Sequence, residues 1–242
     1  MGIVFFLFQQ TMFFSIPLLI VALGGMFSER AGVVNIALEG IMVIGAFSSI
    51  FFINIMQKTG AMSGQPLLLT AILVAALAGG LYSLLHAYAA INMSANQVIS
   101  GTALNMFAPA FAIYTARMIQ GLQQVQFTNQ FRIPSVPVLG SIPVIGPMFF
   151  QNTYITTFIG LLILAVSTFV INKTKFGLRL RACGEHAGAA DAVGINVYRM
   201  RYGGVFISGI LGGIGGLVFV IPTAINFSAD VAGYGFLALA VL

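Results

Sequence analysis

The stretch that decides the fold is KTKFGLRLRACGEHAGAADAVGINVYRMR, residues 173–201. It holds six of the ten Lys and Arg residues of the chain, and long apolar runs lie on both sides of it. A short basic loop between membrane spans stays in the cytoplasm, because Lys and Arg resist translocation. The stretch therefore predicts a cytoplasmic loop that sets the orientation of a membrane protein.

The middle of this loop predicts a short helix. Alanines within residues 187–192 favour a helix, and Gly194 fits its end. We expect Glu185 in the first turn, where a carboxylate suits the positive end of the helix dipole. Such a helix is either a docking site for a cytoplasmic partner or a solvated connector. The charge pattern by itself favours the connector.

Composition predicts an all-α, polytopic membrane protein. The chain has 242 residues, of which 59% are hydrophobic and 6% charged, whereas soluble domains carry about 25% charged residues. The lipid bilayer is therefore its expected surroundings. The net charge is +5, but so few charges cannot build the basic face that a nucleic-acid partner needs. The single Cys183 excludes an internal disulfide and a multi-Cys metal site.

Apolar runs predict a single transmembrane domain over residues 1–242. The Pro-rich segment 119–151 separates two groups of spans and, counting from the basic loop, is external. Residues 224–235 are predicted to form a polar turn with Asp230. Glycines of the span that follows the basic loop have the small-xxx-small spacing of close helix packing. The predicted spans are about 12–27, 36–56, 67–91, 98–118, 154–171 and 202–222, with the start of another at 236–242.

Residues 27–35, FSERAGVVN, admit two interpretations. Polar groups and Gly between two short apolar pieces are typical of a discontinuous helix. A tight cytoplasmic turn with a Glu29–Arg30 ion pair explains them equally well. If residues 12–27 cross the membrane fully, the N-terminus is external; with a break in the membrane it could be internal.

The basic loop resembles the cytoplasmic coupling loop of ABC-importer permeases that serve branched-chain amino acids, ribose-type sugars and nucleosides. Members carry a G-E-x-P-x-A-A-x-x-x-G-I pattern, and Ala187 stands where they usually have Pro. The resemblance implies that this loop seats in a groove of a separate ATPase subunit. The coupling residues that it implies are Gly184, Glu185, Ala189, Ala190, Asp191, Gly194 and Ile195.

Three further stretches are similar to the same permease group: residues 24–47, 96–106 and 199–216. They look most like the nucleoside or simple-sugar branch, so the resemblance implies a type II-like ABC importer permease. Members continue for several more spans, whereas this chain ends inside an apolar run, so we expect it to be C-terminally incomplete. The implied partners are the ATPase, an extracytoplasmic solute-binding protein and a second permease subunit in a heterodimer, in the bacterial cytoplasmic membrane.

A permease of this kind does no covalent chemistry, and we expect no catalytic residue, metal or cofactor. Solutes that carry hydroxyls or bases need hydrogen-bond donors and acceptors rather than a fixed counter-charge. Each candidate could instead satisfy a helix end or bind a neighbouring helix. The candidate residues of the substrate pathway are Asn35, Glu39, Asn96, Gln97 and Asn105.

Three rival interpretations remain at this point. A permease for branched-chain amino acids would carry the same loop. An ion-coupled secondary transporter needs buried titratable groups, and Glu39 and Glu29 are the candidates. An intramembrane enzyme would need paired Asp or Ser/His residues at one depth, and no such constellation is visible in the sequence. The coupling-loop resemblance favours the nucleoside or sugar permease.

Overall fold

A computed structural model describes residues 2–136, 140 and 146–242 of the chain. Six helices within this part are long and apolar enough to cross a membrane. They confirm the prediction of a polytopic α-helical membrane protein. Most of them extend beyond the predicted spans, because polar residues such as Gln9 continue the helix and bond at its ends. The six helices are α1 (Gly2–Glu29), α2 (Leu38–Thr59), α3 (Gly64–Ile91), α4 (Gln97–Gln120), α5 (Ile155–Lys173) and α8 (Val197–Thr223).

Shorter elements connect these helices. The basic loop folds as α6 (Lys175–Glu185) and α7 (Ala187–Ala192), and α9 (Tyr234–Val241) follows α8. The described strands form two antiparallel pairs, and a π-helical turn, Gly146–Phe150, directly precedes the last strand of the second pair. Part of the predicted external segment, residues 137–139 and 141–145, lies outside the described residues. The pairs are β1 (Val125–Gln126) with β4 (Asn226–Phe227) and β2 (Arg132–Ser135) with β3 (Gln151–Tyr154).

Helix α8 is the centre of the bundle and packs against α1, α2 and α3. Its glycines allow the backbones to approach closely, as their spacing predicts. A Cβ on Gly213 would collide with the Ala75 carbonyl oxygen, and one on Gly216 with the Met42 carbonyl oxygen. Small residues thus hold α8 in direct contact with α3 and α2.

The two ends of the bundle differ in character. We call the end with α6 and α7 the basic end and the end with the strand pairs the ladder end. Gln9, near the start of α1, donates to the Pro147 carbonyl at 2.6 Å, whereas Arg30, the residue after the far end of α1, contacts Gly184 of α6. Helix α1 therefore runs the full length of the bundle, and its first residues lie at the ladder end.

One expectation for the basic loop is wrong. Glu185 is the last residue of α6, not a first-turn residue of the short helix, and His186 separates the two helices. The reason is that residues 175–185 are amphipathic: Leu180 and Cys183 are fully buried against the bundle. The basic residues Lys175, Arg179 and Arg181 of the same helix obscured this apolar face in the sequence.

Candidate functional site

The basic end is built by side-chain caps that begin each short helix. Thr174 accepts a hydrogen bond from the Gly177 N–H at 3.2 Å and so caps α6. His186 Nδ1 accepts from the Ala189 N–H at 2.9 Å and caps α7. Gly194 then ends the helical turn with a φ of +83°, a left-handed conformation that suits glycine. The loop is therefore ordered. It consists of two short helices, α6 and α7, which together we call the joint.

Most of the predicted coupling residues are exposed on this joint. Ala190 is the exception, because it is 3% exposed and packs within its own chain, while Ile195 is half-buried. Two apolar residues of the same loop were not among the predicted coupling residues. They are Val193 and Tyr198, which are 76% and 62% exposed. Their exposure could have been suspected from apolar side chains within a polar loop. The exposed coupling residues are Gly184, Glu185, Ala189, Asp191 and Gly194.

The joint rests on the turn that links α1 and α2. A Cβ on Gly184 would collide with the Arg30 carbonyl oxygen, and a Cβ on Gly32 would lie 3.3 Å from the Gly184 Cα. Cys183 is buried in the same contact, and its burial raises the pKa of the thiol, an effect that the Arg201 charge partly offsets. Because the backbones touch here without intervening side chains, a movement of α6 must displace this turn.

Residues 30–37 form this turn, which we call the α1–α2 turn. The helix ends at Glu29 and resumes at Leu38, and the alternating residues Ala31, Val33 and Asn35 are buried. The helix is therefore interrupted between Glu29 and Leu38, and the interruption is enclosed by protein. Non-helical backbone within a membrane protein needs such enclosure, because its polar groups must find partners.

Side chains from the surrounding helices supply these partners. His86 Nε2 lies 3.1 Å from the Val34 carbonyl oxygen, and Gln97 accepts from the Val34 N–H at 2.9 Å. Asn105 makes two bonds: it donates to the Ile36 carbonyl at 2.7 Å and accepts from the Gly40 N–H at 2.8 Å. Helices α3 and α4 thus hold the turn in one conformation.

Asn35 belongs to the same network from the other side. Its side-chain amide donates to the Ser208 hydroxyl of α8 at 2.9 Å, and both residues are buried. Its Oδ1 atom is buried without a hydrogen-bond partner among the described residues. Ser208 and His86 were not among the predicted site residues, since nothing in the sequence links them to residue 35.

Glu39 makes a different contact, with the start of α9. Its carboxylate accepts from the Gly233 N–H at 2.9 Å and from the Gly235 N–H at 2.6 Å. The first N–H groups of a helix lack intrahelical partners and carry partial positive charge, so a carboxylate there is stabilising. Glu39 therefore fixes the position at which α9 begins.

The five predicted pathway residues thus fall into three groups. Asn35, Gln97 and Asn105 converge on the α1–α2 turn, and Glu39 binds α9. Asn96 stands apart, because it caps α4 by accepting from the Val98 N–H at 2.9 Å. All five make structural hydrogen bonds, and a role for any of them in solute passage stays a prediction.

A bundle of long apolar helices, with an ordered basic joint at one end and broken helices inside, defines a multi-pass membrane permease. The chain belongs to the family described as the branched-chain amino acid transport system / permease component, whose model matches residues 7–242. The predicted resemblance to this permease group is confirmed. No solved structure matches the chain.

Named relatives share this family. The guanosine ABC transporter permease protein NupQ of Bacillus subtilis is 46% identical over 236 residues, which cover 96% of this chain and 72% of the relative. The nucleoside ABC transporter permease protein NupC of Lactococcus lactis is 44% identical over 95% of this chain and 72% of its own length. A second Lactococcus lactis protein, the nucleoside ABC transporter permease protein NupB, is 23% identical over 93% of this chain and 63% of its own length.

Proposed function

We propose that this chain is a permease subunit of an ABC importer and that its solutes are nucleosides. The observation that carries the proposal is the identity of 46% and 44%, over nearly the whole chain, to permeases named for guanosine and for nucleosides. Two Haloferax volcanii proteins named for glucose transport are also related, but at lower identity: 32% for TsgC13 and 23% for TsgB13. Nucleosides are therefore favoured over sugars and over branched-chain amino acids.

The protein performs no covalent chemistry, and ATP is hydrolysed by a separate ATPase subunit that docks on the basic end. The docking surface comprises the exposed coupling residues, with Glu185 and Asp191 as its acids and Val193 and Tyr198 as apolar contacts. Exposed apolar side chains of this size, rimmed by charge, are typical of a protein interface. The basic end faces the cytoplasm by the distribution of Lys and Arg, in the cytoplasmic membrane of a bacterium.

The remaining partners follow from the same arrangement. The ladder end, with its strand pairs, faces outward and receives a solute-binding protein. A second, non-identical permease subunit completes the pathway. A pair of different permease subunits is supported by Lactococcus lactis, which has two nucleoside permeases, NupC and NupB. They match this chain at 44% and 23% identity.

The contacts of the basic end supply a mechanical route for coupling. Joint helices α6 and α7 are tied to α5 and α8 and move with them. Gly184 presses on Arg30, so their movement displaces the α1–α2 turn. The turn leads directly into Glu39, which holds the start of α9. ATP-driven motion at the basic end thus reaches the interior of the membrane, where Glu39 and its neighbours border the solute pathway.

Uptake by the complete transporter in cells or vesicles tests the proposal. We expect ATP-dependent uptake of guanosine that other nucleosides compete for and that glucose and leucine leave unchanged. Uptake of glucose or leucine without nucleosides would assign the chain to another branch. Uptake that persists without ATP and stops with an ionophore would instead show an ion-coupled transporter.

A further inference from the structure

The segment between α8 and α9, residues 224–233, is non-helical, and both of its ends are anchored. We call it the descending segment. At the ladder end Asn226 and Phe227 pair with β1. At the other end the Gly233 N–H bonds to the Glu39 carboxylate. The sequence predicts a polar turn over residues 224–235, but a turn would return the chain to the same level.

The two anchors show how deep the segment reaches. Asn54 of α2 donates to the Gln126 carbonyl at 2.6 Å, so the β1–β4 pair lies level with residue 54. Glu39 belongs to the same helix, about 22 Å away at a rise of about 1.5 Å per residue. Its neighbour Leu38 packs against Gly212, near the middle of α8. The descending segment therefore enters the interior of a hydrocarbon layer about 30 Å thick.

Its side chains alternate between two environments. Phe227, Ala229 and Val231 are buried, whereas Ser228, Asp230 and Ala232 are exposed. The backbone here is irregular rather than extended, since Ala229 and Ala232 have φ of +60° and +54°, but it keeps one edge against the protein. The exposed face carries a carboxylate at membrane depth, where lipid contact is costly for a charge and for non-helical backbone. Such a face is stable when it lines a water-filled passage.

We propose that the exposed edge of the descending segment, residues 228–232, lines the translocation pathway and that Asp230 is a solute-contacting residue that determines specificity. The identity of the solute rests on the proposed nucleoside transport. A carboxylate accepts hydrogen bonds through two oxygens and donates none. The vicinal hydroxyls of a ribose are a matching pair of donors.

The local geometry orients this carboxylate. Asp230 Oδ1 accepts from the Ala232 N–H at 2.9 Å, which fixes the side chain against its own backbone. Oδ1 keeps further acceptor capacity, and Oδ2 remains to face the passage. Because Gly233 follows three residues later and is held by Glu39, the carboxylate lies close to the part of the chain that moves with α2. Solute contact and coupling motion meet at this place.

Cysteine labelling of the complete transporter tests the lining. Single cysteines are placed in turn at positions 228 to 232 in a Cys183→Ser background and treated with a small charged thiol reagent. We expect labelling at 228, 230 and 232, little at 229 and 231, and several-fold slower labelling at 230 during guanosine transport. Failure to label the exposed edge would show that lipid, the second subunit or another part of the transporter covers it, and it would overturn the inference.

Solute discrimination tests Asp230 itself. Asp230→Asn retains an oxygen that can accept from the Ala232 N–H, so the turn is preserved. We expect the wild type to prefer guanosine over its 2′,3′-dideoxy analogue and the variant to lose that preference several-fold. Both transporters use the same solute-binding protein, so its own preference for guanosine does not affect the comparison of the two uptake ratios. An unchanged ratio, or labelling at 230 that guanosine does not slow, overturns the inference.

These outcomes are separable from a failure of the proposed function. If the Cys183→Ser transporter takes up no nucleoside while it takes up another solute, the proposed substrate is wrong. If it takes up guanosine and position 230 is neither labelled nor protected, the substrate stands and the role of the descending segment is wrong.

Discussion

Two segments of this protein leave the helical conformation between long helices, and their surroundings are opposite. The α1–α2 turn is enclosed by helices, and side chains of α3, α4 and α8 bond to it. The descending segment is held by strand pairing at one end and by Glu39 at the other, and one of its edges is exposed. Non-helical backbone in a membrane protein needs hydrogen-bond partners. The α1–α2 turn finds them in the surrounding helices, and the descending segment finds them at its anchored ends and in the water of the proposed passage.

The difference teaches that broken helices serve two purposes here. The enclosed turn gives the chain a rigid hinge that transmits force from the basic end. The open segment gives it a polar edge that a solute can touch. Substitutions in the first should therefore affect stability, and substitutions in the second should affect transport.

The largest effect is expected in α8, on which both segments rest. A Cβ on Gly213 would collide with the Ala75 carbonyl, whereas a Cβ on Gly203 of the same helix would lie 3.6 Å from Phe176, an ordinary contact. Gly213→Ala should therefore lower the yield of assembled, monodisperse complex sharply. Gly203→Ala should be neutral or slightly stabilising, since Ala favours helix over Gly by about 1 kcal/mol. Equal yields of the two variants would contradict the packing described.

A second large effect is expected at the α1–α2 turn. Asn105→Leu leaves the Gly40 N–H and the Ile36 carbonyl without their partner, and each unpaired buried group costs about 1–3 kcal/mol. We expect a melting temperature several degrees lower for the purified complex.

Asp230→Asn is the matched control for that measurement. It changes one polar side chain in the descending segment, just as Asn105→Leu changes one polar side chain at the α1–α2 turn. It should leave the melting temperature near that of the wild type while it alters solute preference. If Asn105→Leu melts normally, or if Asp230→Asn melts as early as Asn105→Leu, the proposed division between hinge and passage fails.

An intermediate effect is expected at the joint, where the proposed ATPase docking surface lies next to the α1–α2 turn. Glu185 is exposed, so Glu185→Ala should leave the fold intact and weaken ATPase association about tenfold, the equivalent of about 1.4 kcal/mol. Its neighbour Gly184 contacts the Arg30 carbonyl, so Gly184→Ala should disturb the turn itself. Co-purification of the ATPase and thermal melting separate the two. Wild-type ATPase recovery with Glu185→Ala would make the loop a connector.

The smallest effect concerns Cys183. The thiol is buried and its burial raises its pKa, so less of it is thiolate at pH 8 than in a free cysteine, and the fraction grows as the pH rises. We expect slow maleimide labelling that accelerates as the pH rises, in contrast to rapid labelling of a Ser228→Cys variant in the Cys183→Ser background. Equally rapid labelling of both would show that the α6 contact opens.

The long helices could be predicted because their signal is local. Apolar runs near 20 residues mark membrane spans whatever their neighbours are, and a motif of neighbouring residues identified the permease group. Glu185 was placed in the wrong helix because α6 is an amphipathic helix whose charges outnumber its buried residues.

The contacts of the site could not be predicted, since they join distant parts of the chain. Glu39 binds Gly233, 194 residues further on, and nothing near either residue indicates the other. The descending segment looks like a turn because Asn, Ser, Asp and Gly are typical turn residues. Its depth follows from anchors on α2, which only the folded chain reveals.

The bond between Asn35 and Ser208 joins residues 173 positions apart, and this has a consequence for biosynthesis. Ribosomes add roughly 5–20 residues per second, so the early turn waits on the order of ten to thirty-five seconds for its last partner. During that interval a polar backbone stretch has already entered the bilayer with α1 and α2. The nascent chain therefore needs shelter there, from the insertion machinery or from water held beside it, until α8 arrives.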